Sequence, residues 1–470
     1  MTKKSQGKVR LHFRIKPIQQ IVLGFVVVIL LGTFALCLPM SSSTGGWTPF
    51  LTSLFTSVSA TCVTGLTVVN TLTHWSMFGQ IVILLMIQFG GLGTMSMIVI
   101  LAMLLKGSVS PQENTIVAQS LGLEGTENLA SDLMKVILTG TFTVEAIGAL
   151  LLSVRFIPKF GIGQGIYKSI FHSVSAFCNA GFDILGPDGM GVFRDDPAVL
   201  FILSALIIIG GIGFLVWADV FDFIFAKRKS KLSAAKAMHS IAGRSDRLFA
   251  YTKFVLIVTA VLLVSGTALT LAFEWDNALA GMNPFLKISN AFFHSASLRT
   301  AGFASVDNGS FTAATKVFSI IFMFIGGASG STAGGVKVST VALTAITVVR
   351  TMLGSDETDV FRRRVRPDIV SRAMVLVLLG QAIVAAGTCL ICLTGGTHLI
   401  DSLYEVTSAY ATVGLSLGLT PALGTAGRII LIVLMFMGRV GVITIILSFI
   451  QKNAGKNRSA RRPDTQFLIG

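Results

Sequence analysis

The chain has 470 residues, of which 53% are hydrophobic and 13% charged, and it carries a formal net charge of +15. With 48 glycines and so few charges it lies outside the profile of an ordinary soluble domain and matches a multi-span membrane protein. The basic excess does not call for nucleic acid, because it gathers at the termini and in loops such as Lys227-Arg228-Lys229 and Arg362-Arg363-Arg364, which it marks as cytoplasmic.

Residues 1–17 form a basic cytoplasmic segment containing Lys3, Lys4, Lys8, Arg10, Arg14 and Lys16. The apolar run that follows is too long for a cleavable signal, and Leu38-Pro39 lacks a small-residue cleavage site, so the run reads as an uncleaved first helix. Runs of about 20 apolar residues, enough to cross a bilayer, lie at roughly 18–39, 77–105, 133–156, 198–225, 249–273, 316–350, 373–393 and 427–450, which predicts eight crossings. Four shorter apolar segments, near 49–60, 164–177, 284–298 and 397–410, are too short to span.

Each short segment runs into a stretch of one pattern: Thr61-Cys62-Val63-Thr64-Gly65-Leu66, Phe177-Cys178-Asn179-Ala180-Gly181-Phe182, Leu298-Arg299-Thr300-Ala301-Gly302-Phe303 and Tyr410-Ala411-Thr412-Val413-Gly414-Leu415. An aromatic residue stands ten positions before each glycine: Phe55, Phe171, Phe292 and Tyr404. The recurrence predicts an all-α integral membrane protein built of four parallel repeats of helix, re-entrant pore helix and helix, in a pseudo-fourfold arrangement around one ion pore. Their expected bounds are 18–105, 106–225, 226–350 and 351–450, followed by a cytoplasmic tail over 451–470.

A dehydrated cation needs oxygens in place of its water shell, and a ring of backbone carbonyls supplies them with least mobility. Turning carbonyls inward takes unusual backbone angles, which glycine adopts without a Cβ clash. The candidate ion-binding residues are therefore Cys62, Val63, Thr64 and Gly65; Cys178, Asn179, Ala180 and Gly181; Thr300, Ala301 and Gly302; and Thr412, Val413 and Gly414. Hydroxyls or amides of Thr64, Asn179, Thr300 and Thr412 are expected to bond between copies. Arg299 is expected to point behind the ring, toward pore-helix carbonyls or an acid such as Asp307 or Glu405.

The second helix of each copy carries a further motif: Phe89-Gly90-Gly91-Leu92-Gly93, Ile209-Gly210-Gly211-Ile212-Gly213, Ile325-Gly326-Gly327-Ala328-Ser329 and Met437-Gly438-Arg439-Val440-Gly441. In the first two copies the doublet reads as a close-packing point. In the third it runs on as Gly326-Gly327-Ala328-Ser329-Gly330-Ser331-Thr332-Ala333-Gly334-Gly335, too rich in glycine for a regular helix and predicted to form a gating loop at membrane depth. Arg439, costly in the middle of an apolar helix, is expected to donate to carbonyls of that loop. Glu145, equally costly there, has a structural role or one in ion handling, while His172 and His294 read as packed side chains. The Cys389-x-x-Cys392 pair inside an apolar helix is assigned no chemistry.

With these motifs in place the chain resembles the Trk/Ktr/HKT superfamily of potassium transporters, and most closely its bacterial KtrB-type membrane subunits. The resemblance rests on Thr64-Gly65-Leu66, Asn179-Ala180-Gly181-Phe182, Arg299-Thr300-Ala301-Gly302-Phe303, Thr412-Val413-Gly414-Leu415, the Gly-rich interruption and Gly438-Arg439. It implies potassium uptake at the bacterial plasma membrane, with K+ at carbonyls around Gly65, Gly181, Gly302 and Gly414 and Na+ as an activator in some members. It further implies a homodimer embedded in lipid and a cytosolic, nucleotide-binding RCK-type regulatory subunit like KtrA. Plant relatives that favour sodium carry Ser at the first glycine, and Gly65 here speaks for potassium. No resident cofactor, nucleic acid or enzymatic activity is expected. The alternative class is an alternating-access sodium/potassium symporter, against which parallel repeats argue.

Overall fold

The computed structural model describes residues 17–106, 129–225, 250–355 and 357–441. The chain is helical apart from one two-residue hairpin, β1 (Asp359–Val360) with β2 (Arg363–Arg364). The first sequence copy supplies α1 (Pro17–Cys37), α2 (Phe50–Thr61), the single turn α3 (Thr71–His74) and α4 (Met77–Lys106). The second supplies α5 (Leu129–Phe160), α6 (Ile162–Phe177), α7 (Pro197–Gly211) and α8 (Phe214–Phe225). From the third come α9 (Ala250–Glu274), α10 (Pro284–Ser297), α11 (Ala313–Phe324) and α12 (Val338–Met352). The fourth gives α13 (Pro367–Gly395), α14 (Leu399–Tyr410), α15 (Leu419–Ala422) and α16 (Thr425–Val440).

Local signals fix several ends. Asp196 caps α7 by accepting from the N–H groups of Ala198 and Val199 ahead of Pro197, and Asn283 caps α10 in the same way ahead of Pro284. Helix α13 stops at Gly396, whose φ of 58° is left-handed. Three helix spans among the described residues are each long and apolar enough to cross a membrane: Ile137–Phe160, Ala250–Glu274 and Pro367–Gly395. They leave Leu150, Val154, Val264, Leu378 and Leu393 exposed, as lipid-facing side chains require. The chain is a multi-pass membrane protein.

The second crossing departs from the expected continuous helix in the first and second copies, whereas the interruption in the third is the expected one. α4 is interrupted at Gly93, with φ 81° and ψ 157°, and α7 meets α8 at an angle of 97° across Gly213, whose φ is 95°. α16 ends at Gly441, φ 89°, and the rest of the expected crossing to 450 lies outside the described residues. In the third copy the whole stretch between Phe324 and Val338 is non-helical. Left-handed φ is incompatible with continuing an α-helix, so one glycine suffices for each break. The doublets before the breaks pack closely in the first two copies: a Cβ on Gly90 would overlap the carbonyl of Thr61, and one on Gly210 that of Phe177.

In every copy the short helix packs against its own first long helix and also against the first half of the second crossing of the copy before it, the fourth copy standing before the first. α6 lies on α4, α10 on α7, α14 on α11, and α2 on α16. The apolar core is correspondingly divided. One cluster holds Leu36, Trp75, Ile83, Phe171 and Phe177, and another joins Phe55 and Val58 to Val406, Leu431 and Met435 across the ends of the chain.

Candidate ion pathway

The short helices α2, α6, α10 and α14 end four or five residues before Gly65, Gly181, Gly302 and Gly414, with C-caps at Cys62, Cys178, Leu298 and Ala411. After the cap the chain folds back on its helix. Val63 N–H donates to Ala60 O at 3.1 Å and Thr64 N–H to Ser59 O at 2.8 Å; Asn179 and Ala180 repeat the pair on Ala176 and Ser175, and Thr412 and Val413 on Ala409 and Ser408. In the third copy Ala301 N–H donates to Ser297 O at 3.0 Å. Because N–H and C=O of one peptide point in opposite directions, each of these bonds turns the preceding carbonyl away from its own helix.

The sharp reversal needs two left-handed residues per copy. Gly65, Gly181, Gly302 and Gly414 have φ of 91°, 69°, 78° and 96°, and two positions earlier Val63, Asn179, Thr300 and Thr412 have φ of 57°, 59°, 66° and 52°. The sequence named these four among the candidate ion-binding residues but pointed to left-handed backbone only at the glycines. Serine hydroxyls, which it did not single out, complete the brace: Ser59 and Ser408 accept from the N–H of Gly65 and Gly414 at 3.1 and 3.0 Å. Ser175 and Ser297 donate to the carbonyls of Phe182 and Phe303 at 2.8 and 2.5 Å. Ser59, Ser175 and Ser408 each stand six positions before their glycine, a regularity legible in the sequence.

The four turns meet one another. A Cβ on Gly65 would lie 2.5 Å from Ala180 O and 3.1 Å from Gly181 Cα; one on Gly181 would lie 2.7 Å from Ala301 O and 3.0 Å from Gly302 Cα. A Cβ on Gly302 would overlap Val413 O beside Gly414, and one on Gly414 would overlap Thr64 O beside Gly65. Each glycine thus abuts the next copy's carbonyl, and the series closes on itself. All four glycines open onto one cavity of about 710 Å³, whose wall includes Asp183, Asp188 and Asp307. Burial pushes the Asp183 carboxyl up to about 6, against the opposing pull of the Leu185 N–H and the Lys168 charge.

Two expectations around these turns need correction. The hydroxyls of Thr64, Thr300 and Thr412 are buried without a hydrogen-bonding partner and so do not tie copy to copy. The Asn179 amide faces acceptors of its own copy, and with its oxygen and nitrogen exchanged the nitrogen donates to Ile207 O and Ala176 O at 3.2 and 3.0 Å. Packing of backbone against backbone holds the turns together instead. Arg299 is buried, and its Nη2 donates to Thr259 Oγ1 on α9 at 3.3 Å, with neither Asp307 nor Glu405 as partner. Glu405 is occupied by Ser416 and Thr420, which follow the fourth turn.

Behind the second turn Gln88 Nε2 donates to both carboxylate oxygens of Glu145 at 3.1 and 3.2 Å, and Cys178 Sγ lies 3.7 Å from Oε1. His172 is packed among Phe156, Phe171 and Phe303, with Nδ1 2.6 Å from Lys168 O. His294 lies against Phe311 and Ser319. All five cysteines are free, and among the described residues no group of three or more His, Cys, Asp or Glu side chains is arranged to hold a metal.

The Gly-rich stretch of the third copy lies against the break in the second. Ala328 N–H donates to Gly211 O at 2.9 Å, Thr332 N–H to Gly210 O at 3.3 Å, and Phe214 N–H to Gly330 O at 2.8 Å. Thr332 Oγ1 adds a bond to Phe177 O at the end of α6, 3.1 Å long. From the other side Arg439 reaches in as expected, its Nη1 donating to Thr332 O at 2.5 Å, while Nη2 donates to Gly90 O and, at 3.4 Å, to Gly91 O. Lys337 closes the stretch internally by donating to Ala333 O and Gly334 O at 2.7 and 3.3 Å. Carbonyls freed by the helix breaks thus find donors, and the guanidinium at membrane depth finds three acceptors.

A sequence model of the TrkH family, described as cation transport protein, matches residues 3–459. Among similar proteins, the potassium/sodium uptake protein NtpJ of Enterococcus hirae is 37% identical, covering 98% of this chain and 99% of that one. The Ktr system potassium uptake protein B of Bacillus subtilis is 35% identical, covering 99% of each. The fold is similar to the crystal structure of the potassium transporter TrkH from Vibrio parahaemolyticus, with a TM-score of 0.70 at 18% identity over 94% of this chain and 86% of that one. With breaks, turns and relatives in agreement, this chain belongs to the TrkH family of cation transport proteins, in its KtrB-like branch.

Proposed function

We propose that the chain takes up potassium through one gated, channel-like pore, formed by four helix, pore-helix, helix repeats in pseudo-fourfold array. The observation that carries this reading is the closed series of four left-handed turns at the floor of a single cavity. Carbonyls at Cys62, Val63, Thr64, Gly65, Cys178, Asn179, Ala180, Gly181, Thr300, Ala301, Gly302, Thr412, Val413 and Gly414 would replace the ion's water. The C-terminal ends of four helices add partial negative charge at the same place. Carboxylates in the cavity wall favour cations before they reach the turns. The relatives, a potassium/sodium uptake protein and a potassium uptake protein, support the choice of ion.

In this reading the stretch from Gly326 to Gly335 is the gate and Arg439 its latch. A loop held by a handful of hydrogen bonds, with small side chains and little apolar burial of its own, moves at low free-energy cost. Uptake is driven by the membrane potential, about 2.3 kcal/mol per charge per 100 mV. Dimerisation, stimulation by Na+ and control by a cytosolic nucleotide-binding RCK subunit rest on the family resemblance. The deciding experiment is the purified chain in liposomes with an imposed potassium gradient, with and without sodium. Passive, potential-driven potassium flux supports the pore. Saturating flux with a fixed sodium-to-potassium stoichiometry would replace it with an alternating-access symporter.

A further inference from the structure

A second cavity lies at the other end of the bundle. An apolar groove of about 480 Å³ is bounded by the first turns of α9, α12 and α13 and by the β1–β2 hairpin. α9 begins in this groove at Ala250 and ends on the side of the glycine turns, where Glu274 accepts from the Thr312 N–H at 2.9 Å. Its 25 residues put the groove about 37 Å from that end, one bilayer core away.

The groove has two kinds of surface. Phe254, Leu343, Ile369 and Leu376 make its walls, and Arg363, Arg364 and Arg372 stand around it. Arg364 is bridged to Glu357 at 3.1 Å, and the nearby acid Asp368 is taken by Arg366 at 2.7 Å. Arg363 and Arg372, both exposed, make no ion pair within 4 Å among the described residues, although the Arg372 charge also acts on Asp368. Met352 and Leu353, at the far end of α12 between it and the hairpin, are 81% and 77% exposed, apolar surface of the kind that lipid covers.

We propose that the groove seats a diacyl phospholipid with an anionic headgroup, its acyl chains along the apolar walls and its phosphate between Arg363 and Arg372. A soluble anion would use the guanidinia and leave the walls wet; a zwitterionic lipid would fill the walls and leave the positive charge uncompensated. Of these three a lipid with net negative charge alone meets both surfaces; basic pockets between membrane helices bind such headgroups, and a Lys or Arg near an anionic membrane surface contributes about 1 kcal/mol. The proposal depends on the topology above only for naming the leaflet, the cytoplasmic one. Ser339 lines the same groove, and its Oγ lies 3.5 Å from Ser329 Oγ of the Gly-rich loop, so the occupant touches a neighbour of that loop.

The test is native mass spectrometry of the full chain released from nanodiscs of equal phosphatidylglycerol and phosphatidylcholine. The parent should retain one phosphatidylglycerol in preference to phosphatidylcholine by about thirtyfold, the value of two such contacts. The double variant Arg363→Gln, Arg372→Gln should lose that preference, while Arg362→Gln, on the same hairpin but off the groove, should keep it. Ile369→Trp, which fills the groove and leaves the arginines in place, should lose the lipid altogether. Equal retention of the two lipids by the parent, as expected if a cytosolic subunit covers the groove instead, would overturn the proposal. So would retention of phosphatidylglycerol by Ile369→Trp, which would make the arginines a headgroup site without an acyl seat.

Discussion

Val63, Thr300 and Thr412 are β-branched residues in left-handed backbone, a conformation that costs of order 1–3 kcal/mol each. The cost is met by N–H bonds back to the helix ends and by contacts with the neighbouring turn, so the four turns are strained individually and stable only as a set. Gly65→Ser is therefore expected to lower the potassium-to-sodium flux ratio in liposomes by about tenfold or more, since a Cβ there meets Ala180 O at 2.5 Å. An unchanged ratio would remove Gly65 from the selecting ring. Gly414→Ala, whose Cβ would overlap Thr64 O, should damage assembly as well and lower the melting temperature. Asp183 gives the cavity a pH dependence. Its carboxyl is charged above pH of about 6 and neutral below, so flux at low ionic strength should fall severalfold as external pH drops from about 7 to 5. Asp183→Asn should hold the low-pH rate throughout, and the difference should shrink at 0.15 M salt, where the Debye length is about 8 Å. For stability the direction is reversed: between pH 3.8 and about 6 the native state holds a proton that the unfolded chain has lost, so this group's contribution falls as pH rises through that window.

At the scale of elements, α4, α7, α8, α16 and the third-copy loop form a single hydrogen-bonded unit. The third-copy stretch donates to Gly210 and Gly211 on α7, accepts from Phe214 at the start of α8, and accepts from Arg439 on α16, which also bonds Gly90 and Gly91 on α4. Deleting the residues from Ala328 to Ala333 removes most of these bonds while leaving Gly326 to pair with Val336. Potassium flux is expected to rise severalfold in that variant and to lose its dependence on any cytosolic regulator. Arg439→Ala should shift flux in the same direction and, by stranding buried carbonyls of two elements, cost about 1–3 kcal/mol per unsatisfied group, visible as a lower melting temperature. Two variants that insert normally and conduct no faster than the parent would make the loop a structural kink.

For the molecule as a whole, basic residues in the 226–248 loop and at both termini predict that these face the cytoplasm and the Asp183 cavity faces outside. With the exposed Cys389 replaced by serine, a cysteine introduced at Lys229 should react with an impermeant thiol reagent only from inside, and one at Asp188 only from outside. Labelling of the Lys229 position from outside would reverse the topology, and the four helix C-termini would then receive ions from the wrong side. The packing of α2 on α16 ties the first copy to the last, so these two copies cannot separate without opening the ring.

Much of this was legible in the sequence because it is local. The short apolar segments read near 49–60, 164–177, 284–298 and 397–410 fall on α2, α6, α10 and α14, since a run of apolar residues that ends on a turn glycine carries both its length and its stop. The non-helical stretch after Phe324 was equally plain, because glycine and serine together depress helix formation over many residues. The breaks at Gly93 and Gly213 and the helix end at Gly441 were not, for one glycine costs a helix only about 1 kcal/mol and leaves the outcome to its surroundings. What tipped Gly213 was a carbonyl from another copy: Phe214 N–H has Gly330 O to bond in place of a helical partner. The same holds for Thr259 beside Arg299, for Gly90 beside Arg439 and for Thr64 O beside Gly414. Each pairing joins residues from 40 to 350 positions apart, and hydrogen-bond partners at that separation are chosen by how the helices pack, which the order of residues does not spell out.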